Sequence, residues 1–424
     1  MDEKNLVLEA IRKKLVGKEL SYREIYSIMD EISKDKLGDI LTTYFVASGY
    51  SEGFTNDELY FLTKAMVETG EKLDFRGVVA DKHSIGGVPG TRVTLIVVPI
   101  VAAAGFKIPK SSSRAITTPA GTADAMEVLA PVTFTKEQIY KIVDTTNGCI
   151  VWGGSFKIAP ADDEIIKIEE PLVFESYDKI VVSVMAKKVA FGATHVIIDL
   201  PYGKTVKIHR EEEAEILANK FKYLGRKFNI KIKTFIHKMN EPAGFGIGPL
   251  LEAKDSLMVL EQNPERPNAL EGLALHTAAS LLELCLEDAN EETKEKAAKY
   301  KDTHAWAQDI LISGKALEKM CEIIVAQGGK ADLSSKDLQG GKNRLVIKAE
   351  ESGKIKEVSS KNITLLAKLL GAPEDKSAGM VLSKRLGDKV IKGDELLFFH
   401  SESEYRLREA SDSYDLFPVY DIER

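Results

Sequence analysis

"GVVADKHSIGGVPGTRVTLIVVPIVAAAG", residues 77–105, passes from a β-rich run through a loop holding Gly86, Gly87 and Gly90 into a long apolar segment. It reads as strand, glycine loop and buried helix. The pattern returns downstream. "FKIPKSSS" (106–113) is a strand and loop ahead of a helix in "TPAGTADAMEVLA" (118–130), and "GCIVWGG" (148–154), "THVIIDLPYG" (194–203) and "KIKTFIHKM" (231–239) are further strands. Strands alternating with helices predict an α/β fold with a mainly parallel sheet. Ligands of such sheets bind beyond the carboxyl ends of the strands, where the glycine loops fall.

Upstream the signal is helical. "SYREIYSIMDEIS" (21–33) opens with Ser21 and Glu24, and "TNDELYFLTKAMVETG" (55–70) with Thr55 and Glu58, both in capping-box spacing. Residues 249–330 are again helical, while "GKNRLVIKAEESGKIKEVSS" (341–360) and "LGDKVIKGDELLFFHS" (386–401) are short strands with Gly-Asp and Ser-Gly turns. The expected organisation is a helical domain over 1–73, completed by about 161–191. An α/β domain covers 74–160 and 192–332, and a C-terminal β-rich α+β domain covers 333–424.

The chain has 424 residues, 44% of them hydrophobic and 29% charged, with a net charge of −7. That balance disfavours a nucleic-acid polymer as partner. The most apolar stretch, 93–106, is short for a bilayer and interrupted by Pro99, so no membrane partner is expected. The N-terminus carries no signal-peptide core, and Cys149, Cys285 and Cys321 are far apart, expected as buried free thiols; together these predict a cytoplasmic protein.

Two loops hold the chemistry. In "DKHSIGGVPGTRVT" (81–94), amides freed by Gly86 and Gly87 can approach an anion, Lys82 adds charge, and Ser84 and Thr94 add hydroxyls. In "KSSSRAITTPAGTAD" (110–124), hydroxyls crowd around Arg114 ahead of a helix; a solvated loop with caps would look the same. Two such loops at strand ends of one sheet would surround a phosphate with Lys82, Ser84, Thr94, Ser112, Arg114 and Thr122.

"DKHSIGGV", "SRAITTPAGTAD", "WGGSFKIAPADD" and "SVMAKK", in this order and spacing, resemble the thymidine/pyrimidine-nucleoside phosphorylase family, and within it the type 2 branch that includes the AMP phosphorylases. "LTKAMVETGEKLDF" and "EPAGFGIGPLLEAKDSL" extend the resemblance from about residue 5 to the C-terminus. It implies a homodimeric pentosyltransferase whose cleft lies between a helical and an α/β domain. Inorganic phosphate is co-substrate, and neither cofactor nor metal is expected. The implied reaction is phosphorolysis of a nucleoside 5′-monophosphate, with AMP first and CMP or UMP next; the alternative is a pyrimidine nucleoside such as thymidine or uridine.

By the same resemblance, Lys82, Ser84, Thr94, Ser112 and Thr122 are phosphate-binding. Gly87, Ser113, Arg114, Ala115, Ile116, Thr117, Thr118, Thr122, Ser183 and Lys207 contact the nucleotide, and His83, Ser183 and Lys187 the base. His83 is placed to protonate or hydrogen-bond the leaving base, and Glu175 stands where AMP phosphorylases carry their acid aspartate. Two departures matter. AMP-branch members carry a further N-terminal domain used in higher assembly, so a simple dimer is expected here. Pyrimidine members place an arginine before the linker helix, and 164–172 holds Lys167, Glu169 and Glu170 but no arginine.

Overall fold

The computed structural model describes residues 3–115, 118–155, 157–169 and 176–423. Helices α1 (Glu3–Leu15), α2 (Tyr22–Ser33), α3 (Asp39–Glu52) and α4 (Asn56–Glu68) open the chain. Both expected capping boxes form: the Ser21 and Thr55 side chains accept from the backbone of Glu24 and Glu58, whose carboxylates return the bond. On α2, Ile25, Ile28, Met29 and Ile32 recur at helical spacing and are buried.

There follow β1 (Ala80–Ser84), α5 (Thr94–Ala103), β2 (Ile108–Ser112), α6 (Thr122–Glu127), α7 (Lys136–Thr146) and β3 (Gly148–Trp152). Next come α8 (Pro160–Glu169), α9 (Tyr177–Ala190), β4 (His195–Tyr202), α10 (Glu211–Lys227) and β5 (Lys231–Lys238). Strand β1 pairs in parallel with β4, β4 with β5, and β2 with β3. A parallel bridge between Val79 and Lys107, with the Ala80 amide donating to the Lys107 carbonyl at 2.8 Å, joins the two sets in the order β3-β2-β1-β4-β5. All five strands therefore point their carboxyl ends to one side.

Helix α5 is apolar all round and buried along its length, which places it inside the α/β core rather than on its surface. Helices α8 and α9 leave the sheet to pack Ala161, Ile165, Val181, Val182 and Met185 into the core formed with α2, α3 and α4. The helical domain is thus built from two chain segments.

Short β6 (Gly246–Ile247) precedes α11 (Pro249–Leu260) and α12 (Asn268–Leu286); α13 (Glu291–Ala297), α14 (Thr303–Ile312) and α15 (Lys315–Ala326) complete this half. Helix α12 is long and apolar enough to cross a membrane, but Leu270, Ala274, Leu281, Leu282 and Cys285 are buried in the α/β core. The C-terminal part comprises β7 (Asn343–Lys348), β8 (Gly353–Val358), α16 (Ser360–Leu370), β9 (Gly379–Leu382), β10 (Lys389–Val390), β11 (Glu395–Ser401), α17 (Glu404–Asp412) and β12 (Tyr420–Glu423), around its own core. Its sheet extends onto the α/β domain, because β9 pairs with β6. Cys149 and Cys285 are buried free thiols, whereas Cys321 is only half-buried on α15.

Candidate active site

The carboxyl ends of β1, β2 and β4 deliver charged side chains to one place. At the end of β1, the Lys82 ammonium donates to Ser84 Oγ at 2.7 Å and to Thr94 Oγ1 at 3.4 Å, so three of the residues expected to hold phosphate already touch. Ser84 Oγ donates to Asp199 Oδ2 on β4 at 2.6 Å, and Asp199 Oδ1 meets His237 Nε2 on β5 at 2.8 Å. On the next residue back, Asp81 pairs with Lys188 of α9 at 2.6 Å and with Lys110 of β2 at 3.6 Å.

Three buried lysines (82, 110 and 188) therefore face two buried carboxylates, Asp81 and Asp199. Burial penalises an excess of one sign unless a counter-charge is supplied. The strain appears in the lysines: burial lowers Lys82 to about 8 and Lys110 to about 7, with Asp199 and Asp81 respectively working in the opposite sense. An anion placed here would complete the balance. Ser112 Oγ at the end of β2 is buried and, among the described residues, has no hydrogen-bond partner. A bound oxyanion would give it one.

The second loop is arranged differently. Asp124 Oδ2 accepts from the Ala115 and Gly121 amides at 2.6 and 2.9 Å, closing the loop on itself. A Cβ at Gly121 would stand 2.4 Å from the Ser113 carbonyl oxygen, so the closure requires glycine there. Arg114 turns back to Glu127 with two bonds of 2.6 Å and lies over the Trp152 ring. It belongs to an ion-pair cluster, completed by Lys376 from the C-terminal domain at 2.8 Å from Asp124 and 3.2 Å from Glu127. Arg92 clamps the two loops together. It donates to the Ala120 carbonyl at 2.9 Å and Thr122 Oγ1 at 3.4 Å while pairing with buried Glu252 at 2.5 Å.

On α9, Lys187 lies one turn after Ser183 and donates to its Oγ at 3.2 Å. Both are held by Asp162 Oδ2 of α8, at 2.7 Å from Lys187 Nζ and 2.8 Å from Ser183 Oγ. His83 is half-buried between these groups, and burial followed by Lys188, Lys110, Lys82 and Lys187 keeps its ring well below the usual histidine range. It is a neutral imidazole, suited to donating a hydrogen bond rather than carrying a mobile proton. Gly87 has φ +58°, and a Cβ there would sit 3.1 Å from Lys207 Cε, so these two expected nucleotide contacts are adjacent. Gly86 packs on Pro201, Ser113 is exposed, and Thr118 Oγ1 donates to the Ala120 carbonyl. Ile116, Thr117 and Glu175 lie outside the described residues.

Sequence reasoning missed Asp199, His237, Arg92 and Asp124. Asp199 left a signal, as an acid near the end of the otherwise apolar run "HVIIDL". Arg92 and Asp124 left none apart from their place in the loops.

Residues 8–70 match the glycosyl transferase family's helical bundle domain, 76–317 its a/b domain, and 354–416 the pyrimidine nucleoside phosphorylase C-terminal domain. The chain is 44% identical over 408 residues to the AMP phosphorylase of Methanocaldococcus jannaschii, spanning 96% of this chain and 79% of that one. To the AMP phosphorylase of Natronomonas pharaonis it is 41% identical over 404 residues, spanning 95% and 78%. The anthranilate phosphoribosyltransferase of Thermus thermophilus shares the fold, with a TM-score of 0.57 at 16% identity over 75% of this chain and 99% of that one. So does the Saccharomyces cerevisiae enzyme in complex with PRPP and Mg, at 0.58 and 16%, over 76% and 98%.

Proposed function

The chain belongs to the glycosyl transferase family and is a phosphorylase within it, and from that premise we propose that its substrate is AMP. Phosphate attacks C1′ of the ribose as the C1′–N9 bond breaks. The electron pair leaves with the base, a proton is delivered to the base nitrogen, and the products are adenine and ribose 1,5-bisphosphate. The observation that carries the reading is the excess of buried lysine over carboxylate at the ends of β1 and β2, in a chain 41–44% identical to AMP phosphorylases over nearly its whole length.

In this reading Lys82, Ser84, Thr94, Ser112 and Thr122, with the Gly86 and Gly87 amides, hold phosphate close to C1′. Ser113 to Thr118, Gly87 and Lys207 hold the nucleotide, and Ser183 and Lys187 hold the base. The neutral His83 ring donates a hydrogen bond to the departing base, and Glu175 supplies its proton. No redox change occurs, so no cofactor is required. The exposed Leu15, Val16, Ile40 and Tyr44 on and beside α1 and α3 support a homodimer through the helical domain. Three free cysteines fit a reducing cytoplasm.

Base release resolved by HPLC tests this. With phosphate present, AMP is expected to yield adenine, while adenosine, uridine and thymidine are left intact. Turnover of uridine or thymidine but not AMP would replace the reading with a pyrimidine-nucleoside phosphorylase. Base release from AMP that does not depend on phosphate would remove phosphorolysis altogether.

A further inference from the structure

Asp199 touches the Lys82–Ser84 cluster from behind, and His237 touches Asp199. Register explains how they reach it: Ser84 lies opposite Asp199 across β1–β4, and Pro201 opposite His237 across β4–β5. The Asp199 carboxylate is buried, accepting the Ser84 hydroxyl on one oxygen and the His237 ring N–H on the other. His237 is fixed in turn by stacking on Phe235, with ring centroids 4.4 Å apart and planes 15° from parallel.

Proton counting gives this arrangement its meaning. A serine hydroxyl has one hydrogen. Here it goes to Asp199, while the Ser84 oxygen accepts from Lys82. In this state Ser84 has nothing to donate to phosphate. We propose that Asp199, oriented by His237, is a positioning residue that stands in for the anion: it holds Ser84 and Lys82 in binding geometry until phosphate takes over the Ser84 proton. The exchange moves one hydrogen bond from carboxylate to phosphate, and Asp199 keeps the His237 N–H as its remaining donor.

The charges around Lys82 agree. Asp199 and Asp81 favour its ammonium form, while burial, Arg92 and Lys188 oppose it; His83 is near and neutral. Removing Asp199 should therefore weaken phosphate binding more at pH 8 than at pH 6.5.

The inference rests on the phosphorylase reading, and calorimetric titration of inorganic phosphate separates the two. Asp199→Asn should raise the phosphate Kd about tenfold and His237→Phe, which keeps the stacked ring, about threefold, as expected for lost hydrogen bonds to charged groups. The AMP Kd should stay the same in both. In a Ser84→Ala background, His237→Phe should have no further effect, which decides the matter even if Asp199→Asn does not fold. An unchanged phosphate Kd in His237→Phe, equal losses for phosphate and AMP, or an undiminished His237→Phe effect without Ser84 would each overturn the assignment. Wild-type protein that binds phosphate yet releases no base from AMP would overturn the proposed substrate alone. Failure to bind phosphate would overturn both.

Discussion

The two loops at the centre of the site use the same residue types to opposite ends. In the first (81–94), charge is left unbalanced: Lys82 is buried, lowered to about 8, and donates to Ser84, which in turn donates to Asp199. In the second (110–124), charge is already spent internally. Asp124 takes the Ala115 and Gly121 amides, and Arg114 pairs with Glu127. The first loop carries an excess of buried positive charge, while the second is internally paired. A hydroxyl-rich, glycine-containing sequence serves both purposes, and only the count of neighbouring carboxylates tells them apart.

Removing the charge from the first loop should have the largest effect. Lys82→Ala should lower kcat/KM for phosphate by at least about 100-fold, the usual size for loss of a buried electrostatic contact to a reacting anion. Raising the pH should act on the same group. Lys82 in the folded protein loses its proton through about 8, so phosphate KM measured with wild-type enzyme should climb as pH passes from 7.5 to 9.5. Stability moves the other way. The unfolded lysine keeps its proton to about 10.4, so between the two values the unfolded state binds more protons and this lysine's destabilising contribution is relieved as pH rises. A phosphate KM flat across that range would mean that Lys82 does not carry the affinity.

The second loop should fail differently. Asp124→Ala leaves two amides, Arg114 and Lys376 without their common acceptor, a loss of about 3 kcal/mol or more by the measure of broken buried pairs. Urea unfolding would read that loss directly. With the protein kept folded at low temperature, nucleotide KM should rise about tenfold while phosphate Kd changes little, by analogy with other lost charge-assisted bonds. If phosphate Kd moved as much as nucleotide KM, the division of labour between the loops would be gone.

How much of this was readable in advance follows from the range of each interaction. The strands β1 to β5 and the capped helices depend on local pattern, and "GVVADKHS", "FKIPKSSS" and "THVIIDLPYG" each fold as strand and loop. The clustering of Lys82, Ser84 and Thr94 was readable for the same reason, since thirteen residues of one strand, loop and helix contain it. Asp199 and His237 lie more than 100 residues further on, and only the parallel register of β1, β4 and β5 sets them behind Ser84. The ion pair of Arg114 was hidden for a related reason: Glu127, one turn along α6 from Asp124, meets its guanidinium only once the loop has folded back on that helix.

Lys376 reaches the second loop from the C-terminal domain. That domain is a β-rich unit around its own core, and its sheet fastens to β6. Yet Lys376 also bonds Asp124 and Glu127, the acids that hold Ala115, Gly121 and Arg114. Lys376 is one-third exposed, so solvent screens the pair, and Lys376→Met should cost only about 1 kcal/mol or less in urea unfolding. The informative quantity is the KM split. With one cation gone, Arg114 must serve both acids, and a loosened loop should raise nucleotide KM roughly two- to fourfold, the kinetic equivalent of a sub-kilocalorie loss. Phosphate KM should be untouched, and Lys376→Arg should restore the wild-type value. Equal changes in both KM values, or no rescue by arginine, would return the C-terminal domain to a purely structural role and leave the shape of the second loop to Asp124 alone.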